Sequence, residues 1–158
     1  FARHYKSNKP IPKTLVTQLQ KADKFARGIW MQRQNSFAKL SLRYHQEKNL
    51  KKANLSTVMN NVQKKYGVIP YPKNTHFYAN FGHLNSYSAI YYTYIWSHAI
   101  AQNILYPFKI KGMYNKKITK KYVDEILIPG GSKDAQKLIH NFLGKDWNMI
   151  PFKKWLSE

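Results

Sequence analysis

The chain contains no cysteine. That excludes a disulfide framework and thiol catalysis, and it fits a reducing compartment, for which the cytoplasm is the expectation. Acidic residues are scarce: seven Asp and Glu stand against 27 Lys and Arg. None of the six histidines is followed by Glu, and no two of them are spaced i, i+4. A catalytic zinc site needs three protein ligands and a base for its bound water. The spacing for such a site is missing, so no metal-ligating residue is assigned and no cofactor is expected on this chain. No twenty-residue window is predominantly aliphatic, which argues against a membrane span. The first residues carry Arg3, His4 and Lys6 without an apolar run, so they do not read as a signal peptide. A first residue of Phe is expected of a processed chain or of a cut within a longer protein. Internal repeats, low-complexity linkers, and helix-turn-helix, zinc-finger or RNA-recognition signatures are also missing. The length, 158 residues, suits one domain with a real core.

Charge is missing from one place in particular. Residues 74–108 hold no Lys, Arg, Asp or Glu, whereas residues 1–73 carry +14 and residues 109–158 carry +6. In place of charge the gap carries ten aromatic residues and three of the six histidines, His76, His83 and His98. Such a segment is a buried core element or the wall of a binding cleft. Read as a helix from Tyr87 to Phe108, it puts Tyr87, Tyr91, Tyr94 and His98 at i, i+4, i+7 and i+11, on one arc. An aromatic stripe at this spacing is most often core. Three phenol hydroxyls on one arc each want a partner when buried, however, and a pure core is made more cheaply with Phe. The hydroxyls point to a face that hydrogen-bonds something.

The remaining elements follow from caps and breakers. Pro12 opens a short helix through Lys21 with Leu15, Val16 and Leu19 inward. Asp23 caps a long helix carrying Phe25, Ile29, Trp30, Phe37, Leu40 and Tyr44. Asn54 caps a third helix with Leu55, Val58, Met59 and Val62 inward, and Gly67 stands past its end. Residues 75–84 read as extended, with Asn85 or Ser86 capping the central helix. Pro107 ends or kinks that helix. Asn115 starts a helix to Leu127, stopped by Pro129 and Gly130-Gly131. Ser132 caps a helix over 133–143, and residues 150–156 form the last one. The class is all-α.

The run His76-Phe-Tyr-Ala-Asn-Phe-Gly-His83-Leu-Asn-Ser-Tyr87-Ser-Ala-Ile-Tyr91-Tyr-Thr-Tyr94-Ile-Trp96 resembles a segment of the zinc oligopeptidases of the thimet oligopeptidase, neurolysin and oligopeptidase A family. There the pattern is Phe-x-His-Leu, a short Gly-rich loop, then Tyr-x-Ala-x-Tyr-Tyr-x-Tyr-Leu-Trp. Tyr122-Val-Asp-Glu-Ile-Leu-Ile-Pro-Gly-Gly-Ser132 is similar to a later helix and turn of the same family. Asn141-Phe-Leu-Gly-Lys-Asp146 is similar to its near-terminal segment, with Trp147 where Pro is usual. Upstream, residues 1–5 and Lys9-Pro-Ile-Pro12 are similar to the segment that follows the metal site. The loop between His83 and Tyr87 is one residue shorter than in the thimet type.

The resemblance implies a fold and a role. The fold is the helical C-terminal part of a zincin-type oligopeptidase catalytic domain, with residues 1–158 as a single helical domain lacking the His-Glu-x-x-His segment. His83 and Tyr94 are implied as catalytic groups that stabilise the tetrahedral intermediate. Tyr87 and Tyr91 are implied as substrate-binding groups. Zinc belongs to the full-length enzyme, and the chain alone is expected to be inactive. The implied partners are short peptide substrates and the N-terminal, metal-bearing part of the same protein; no specific nucleic acid and no membrane are expected. The rival reading is a non-enzymatic basic helical module that binds nucleic acid or an anionic surface. Against it, the lysines are scattered in singles and pairs, as on solvated helix faces. For the single residues the structural readings are that His98 is a core histidine and that Tyr92 and Trp96 pack.

Overall fold

A computed structural model describes residues 2–49 and 51–158. Phe1, which the upstream resemblance includes, lies outside them. The fold is all-α, and among the described residues the extended pairing is one isolated bridge between Arg3 and Pro10. In chain order the helices are α1 (Lys13–Lys24), α2 (Arg27–Gln46), α3 (Leu55–Tyr66), the single turns α4 (Phe77–Asn80) and α5 (His83–Ser86), α6 (Thr93–Lys111), α7 (Lys116–Tyr122), α8 (Ala135–Leu143) and α9 (Ile150–Ser157). A 3-10 turn, Ile90–Tyr92, leads into α6, and a π-helical stretch, Val123–Leu127, extends α7.

Three helix starts are set by short polar side chains. Asn54 accepts from the Thr57 amide at the head of α3. Asn115 accepts from Lys117 and Ile118 at α7, and Asp134 accepts from Gln136 and Lys137 at α8. Each satisfies amides that the first turn leaves without partners. The cap of α8 is therefore Asp134 and not Ser132. At the far end of α8, Gly144 takes φ 71° and its amide bonds the His140 carbonyl, the left-handed stop that glycine makes at least cost.

Two cores form. Leu40 and Tyr44 of α2 meet Met59 and Val62 of α3 and Phe81, with Phe37, Val58, Phe77 and Tyr91 packed around them. Ala99 of α6, Leu138, Ile139 and Phe142 of α8 and Phe152 of α9 are buried at the other end. The inward face expected for α3 is the one observed. Buried Asn103 ties α6 to the segment before α9: its amide group donates to the Ala99 and Asn148 carbonyls, and its side-chain oxygen accepts from the Asn148 amide. Arg27, also buried, stacks 4.4 Å from Trp155 and donates to the Trp155 carbonyl, fixing α2 to α9.

Five further expectations are corrected. Asp23 does not cap α2; it lies in the last turn of α1, and α2 starts after Ala26, whose φ is 57°. Leu15 and Leu19 do not point inward: they are 44% and 58% exposed, and α1 buries no residue. Residues 75–84 are not extended but make the turns α4 and α5, because aromatic alternation over so short a run suits turns packed on a core equally well. The central helix does not begin at Tyr87, and neither Asn85 nor Ser86 caps it. Ser88 takes φ 50°, which breaks the path, and the helix proper begins at Thr93. Of the two alternatives for Pro107, an end or a kink, the end is ruled out: α6 runs four residues further to a stop at Gly112.

Candidate functional site

The break at Ser88 shapes the site. His83 opens α5, and the Tyr87 amide bonds its carbonyl, so the two side chains lie one turn apart. Their rings stack with centroids 4.8 Å apart and planes 25° apart. The chain then reverses through Ser88 and re-enters helix at Ile90. The turn Ile90–Tyr92 and α6 are continuous, so Tyr91 and Tyr94 keep their three-residue spacing and their rings stand 4.9 Å apart. Both face back toward His83, Tyr91 at 4.7 Å and Tyr94 at 5.7 Å. The three tyrosines thus surround one imidazole, although they do not lie on one uninterrupted helix.

The reversal is anchored from α2. Ser41 is fully buried, and its hydroxyl donates to the Ser88 carbonyl at 2.6 Å. Gln34, about two turns earlier, accepts the Tyr91 hydroxyl through its side-chain oxygen at 2.9 Å. Phe37 lies between them and packs edge-on against Tyr91 and face-on against Phe77. Ser41 and Gln34 carry no signal that composition or spacing could have picked out: each is a single polar residue in a long helix, and its partner lies far along the chain.

The hydroxyls are not equivalent. Tyr87 and Tyr94 are 56% and 54% exposed, so their O–H groups are available to a ligand. Tyr91 is half-buried and already engaged with Gln34. Burial pushes the Tyr91 phenol above its ordinary value, and Tyr94 beside it adds to the rise, whereas Arg33 opposes it. Tyr91 therefore stays neutral and a donor at physiological pH. His83 is half-buried, flanked by Phe81 at 6.0 Å, and its Nε2 atom is buried without a hydrogen-bond partner. A buried polar atom left unpaired is costly and calls for an explanation. The stretch supplies no Lys, Arg, Asp or Glu, so neutral donors and acceptors dominate the face. A cavity of about 340 Å3 lies one aromatic layer away, where Phe37 and Phe77 line it with Arg33 and Tyr71.

His98 does not join the tyrosines. It sits 4.2 Å from Trp155 and 5.8 Å from Phe152, beside Gln102, as a core histidine does. Trp96 packs edge-on against Trp147. Among the described residues no three His, Asp or Glu side chains stand close enough together to hold a metal ion. The resemblance places zinc in the full-length enzyme and assigns none of its ligands to the described residues. No helix among the described residues is long and apolar enough to cross a membrane.

The arrangement is an aromatic face of neutral hydrogen-bonding groups around one histidine. The model of peptidase family M3 matches residues 1–157, and the chain belongs to that family. It is 33% identical over 145 residues to mitochondrial intermediate peptidase of Mus musculus, covering 92% of this chain and 20% of that protein. It is 31% identical to the Homo sapiens protein of the same name over the same shares. Against oligopeptidase A of Salmonella typhimurium it is 28% identical over 146 residues, 90% of this chain and 22% of that one. The chain thus spans about a fifth of the length of the curated relatives it matches.

Proposed function

We propose that this chain is the substrate-side, C-terminal part of a zinc-dependent oligopeptidase, one that hydrolyses short peptides only together with the metal-bearing N-terminal part of the same protein. One observation carries the reading: Tyr87, Tyr91 and Tyr94 enclose His83, whose Nε2 is buried and has no partner. A peptide laid across this face offers acceptors for the exposed Tyr87 and Tyr94 hydroxyls, and it becomes the missing partner of Nε2 once the tyrosine rings that cover His83 move aside. Tyr87 and Tyr91 hold the peptide backbone, Tyr91 chiefly by fixing the wall from Gln34. Tyr94 and His83 donate toward the carbonyl oxygen of the bond that is cut, where negative charge grows as the tetrahedral intermediate forms. Membership of a peptidase family and relatives named as peptidases support the reaction class. In the full enzyme zinc is held by residues outside this chain and supplies Lewis-acid chemistry there. The cytoplasm is the compartment proposed; co-fractionation with mitochondria would overturn that choice.

The test is Tyr94→Phe in the full-length protein. The exchange removes one O–H and keeps the ring against His83. A fixed donor to a developing oxyanion is worth about 10² to 10³ in rate. The expected result is a fall of about that size in kcat, little change in KM and an unchanged Tm, because the bond strengthens only as charge develops. Unchanged kcat at unchanged Tm makes Tyr94 a packing residue and removes the mechanism.

A further inference from the structure

A second cavity, of about 510 Å3, lies where α6, α7, α8 and α9 converge, away from the tyrosines and His83. Its volume falls in the range of small-molecule sites. Apolar side chains make its floor: Tyr106 and Ile110 of α6, Ile118 of α7, Leu143 of α8 and Pro151 of α9. Lys111, Lys121, Lys145 and Lys154 complete the lining, and no Asp or Glu is among its residues. None of these four ammonium groups is paired with a carboxylate among the described residues. By contrast, Lys120, next to Lys121 in sequence, is paired with Asp124 at 2.8 Å. Four like charges around one opening repel each other, and that repulsion is relieved by an anion. Polar atoms in the wall, at Asn103 and Asn148, are already committed to one another.

We propose that this cavity binds a small amphipathic anion, an apolar chain or ring that fills the floor with an acidic head held by the lysines. Charge complementarity selects the head: the charged side chains of the lining are all cationic, with no carboxylate to repel it. The floor selects the body, because burying apolar surface is favourable whereas a purely ionic ligand leaves that floor wet. The flexible lysine stems span head groups of different geometry, so carboxylate and phosphate heads are both accepted. The site is separate from the peptide-binding face and does not depend on it.

The experiment is calorimetric titration of the purified protein at 0.15 M salt with dodecanoate and dodecyl phosphate, each below its micelle concentration. The expected result is one-to-one binding of both, with acetate, inorganic phosphate and dodecyl maltoside showing none. Lys145→Glu/Lys154→Glu is expected to weaken dodecanoate binding about tenfold or more. Lys116→Glu/Lys117→Glu, which changes the net charge equally at the head of α7, is expected to leave it within about twofold. Ile110 is well exposed, so Ile110→Gln keeps the fold and is expected to weaken binding while leaving the charges in place. Binding of one head and not the other keeps the site but overturns its acceptance of both heads, and binding of neither overturns the proposal. Equal weakening by both lysine pairs means general attraction to a basic protein and overturns the proposal. So does equal binding of dodecyl maltoside, or insensitivity to Ile110→Gln.

Discussion

At the scale of single residues, the candidate site divides groups that meet a ligand from groups that hold the others in place. Tyr91 is the clearest holder. Its hydroxyl donates to Gln34 and its ring touches Phe37, Phe81, His83 and Tyr94. Tyr91→Phe should therefore cost about 1 kcal/mol of stability, because the Gln34 acceptor loses its donor in a half-buried place. Its kinetic signature should be a raised KM with a smaller loss in kcat. Urea unfolding and steady-state kinetics check both, and an unchanged midpoint would make the Gln34 contact energetically empty. His98 gives a pH prediction. Burial, and then the Arg27 charge, hold its pKa below the ordinary 6.5. Below that value the unfolded chain takes up a proton that the folded chain resists, so the unfolded state binds more protons. The stability present above about pH 6.5 should fall as pH drops toward the folded value, and α9 should loosen from α2 and α6. His98→Gln should flatten this slope between pH 7 and 5 in urea titrations. If the slope is unchanged, the His98 environment does not drive it.

At the scale of elements, what was legible in the sequence and what was not divide on one physical line. Local signals read correctly where a side chain bonds its own next turn. Asn54 and Asn115 did so, and the last helix was read from its true start at Ile150. The apolar positions of α3 and the caution over His98 were equally plain. The two misplaced helix starts depended on the backbone entering the left-handed region at non-glycine residues. Ala26 splits what reads as one long helix start, and Ser88 moves the start of α6 to Thr93. Such conformations cost energy locally and persist because distant contacts over-determine them. The contact at Ser88 is the buried Ser41 hydroxyl, 47 positions away, and no local pattern carries it. Helical spacing picks out Tyr87, Tyr91, Tyr94 and His98, and the resemblance alone picks out His83; the convergence of the three tyrosines on His83 through two separate turns is in neither signal. A prediction follows for Ser41→Ala. Losing the donor leaves the Ser88 carbonyl unpaired at a buried contact, at a cost of about 1–3 kcal/mol. The tyrosines should lose their register with His83, so kcat/KM in the full-length protein should fall although no substrate contact is removed. Ser41→Thr, which keeps the hydroxyl, should recover more activity than Ser41→Ala. Equal activity of the two variants, with the expected loss of stability, would confine Ser41 to folding.

At the scale of the whole molecule, charge and chemistry are separated in space. The chain carries +20, yet its candidate site lies in the stretch with no Lys, Arg, Asp or Glu. Neutral donors there cost less to desolvate than lysines, and they leave a peptide carbonyl as the main acceptor in reach. The seven acids are Asp23, Glu47, Asp124, Glu125, Asp134, Asp146 and Glu158, none of them in that stretch. Several are already engaged: Asp124 with Lys120, Asp146 with His140, and Asp134 in a helix cap. Metal binding therefore has to compete with these bonds and bring distant helices together, on donors that do not form a group of three. The 158-residue chain should accordingly retain no stoichiometric zinc after dialysis at pH 7, and a chelator should leave its unfolding curve unchanged. Joined to the metal-bearing part, the same residues should sit in a protein that does hold zinc, and there the chelator should abolish peptide cleavage. Metal analysis and unfolding of both forms, measured side by side, decide the matter. Zinc held one-to-one by the 158-residue chain, with a chelator lowering its Tm, would place the metal site within these helices and overturn the division of labour between the two parts.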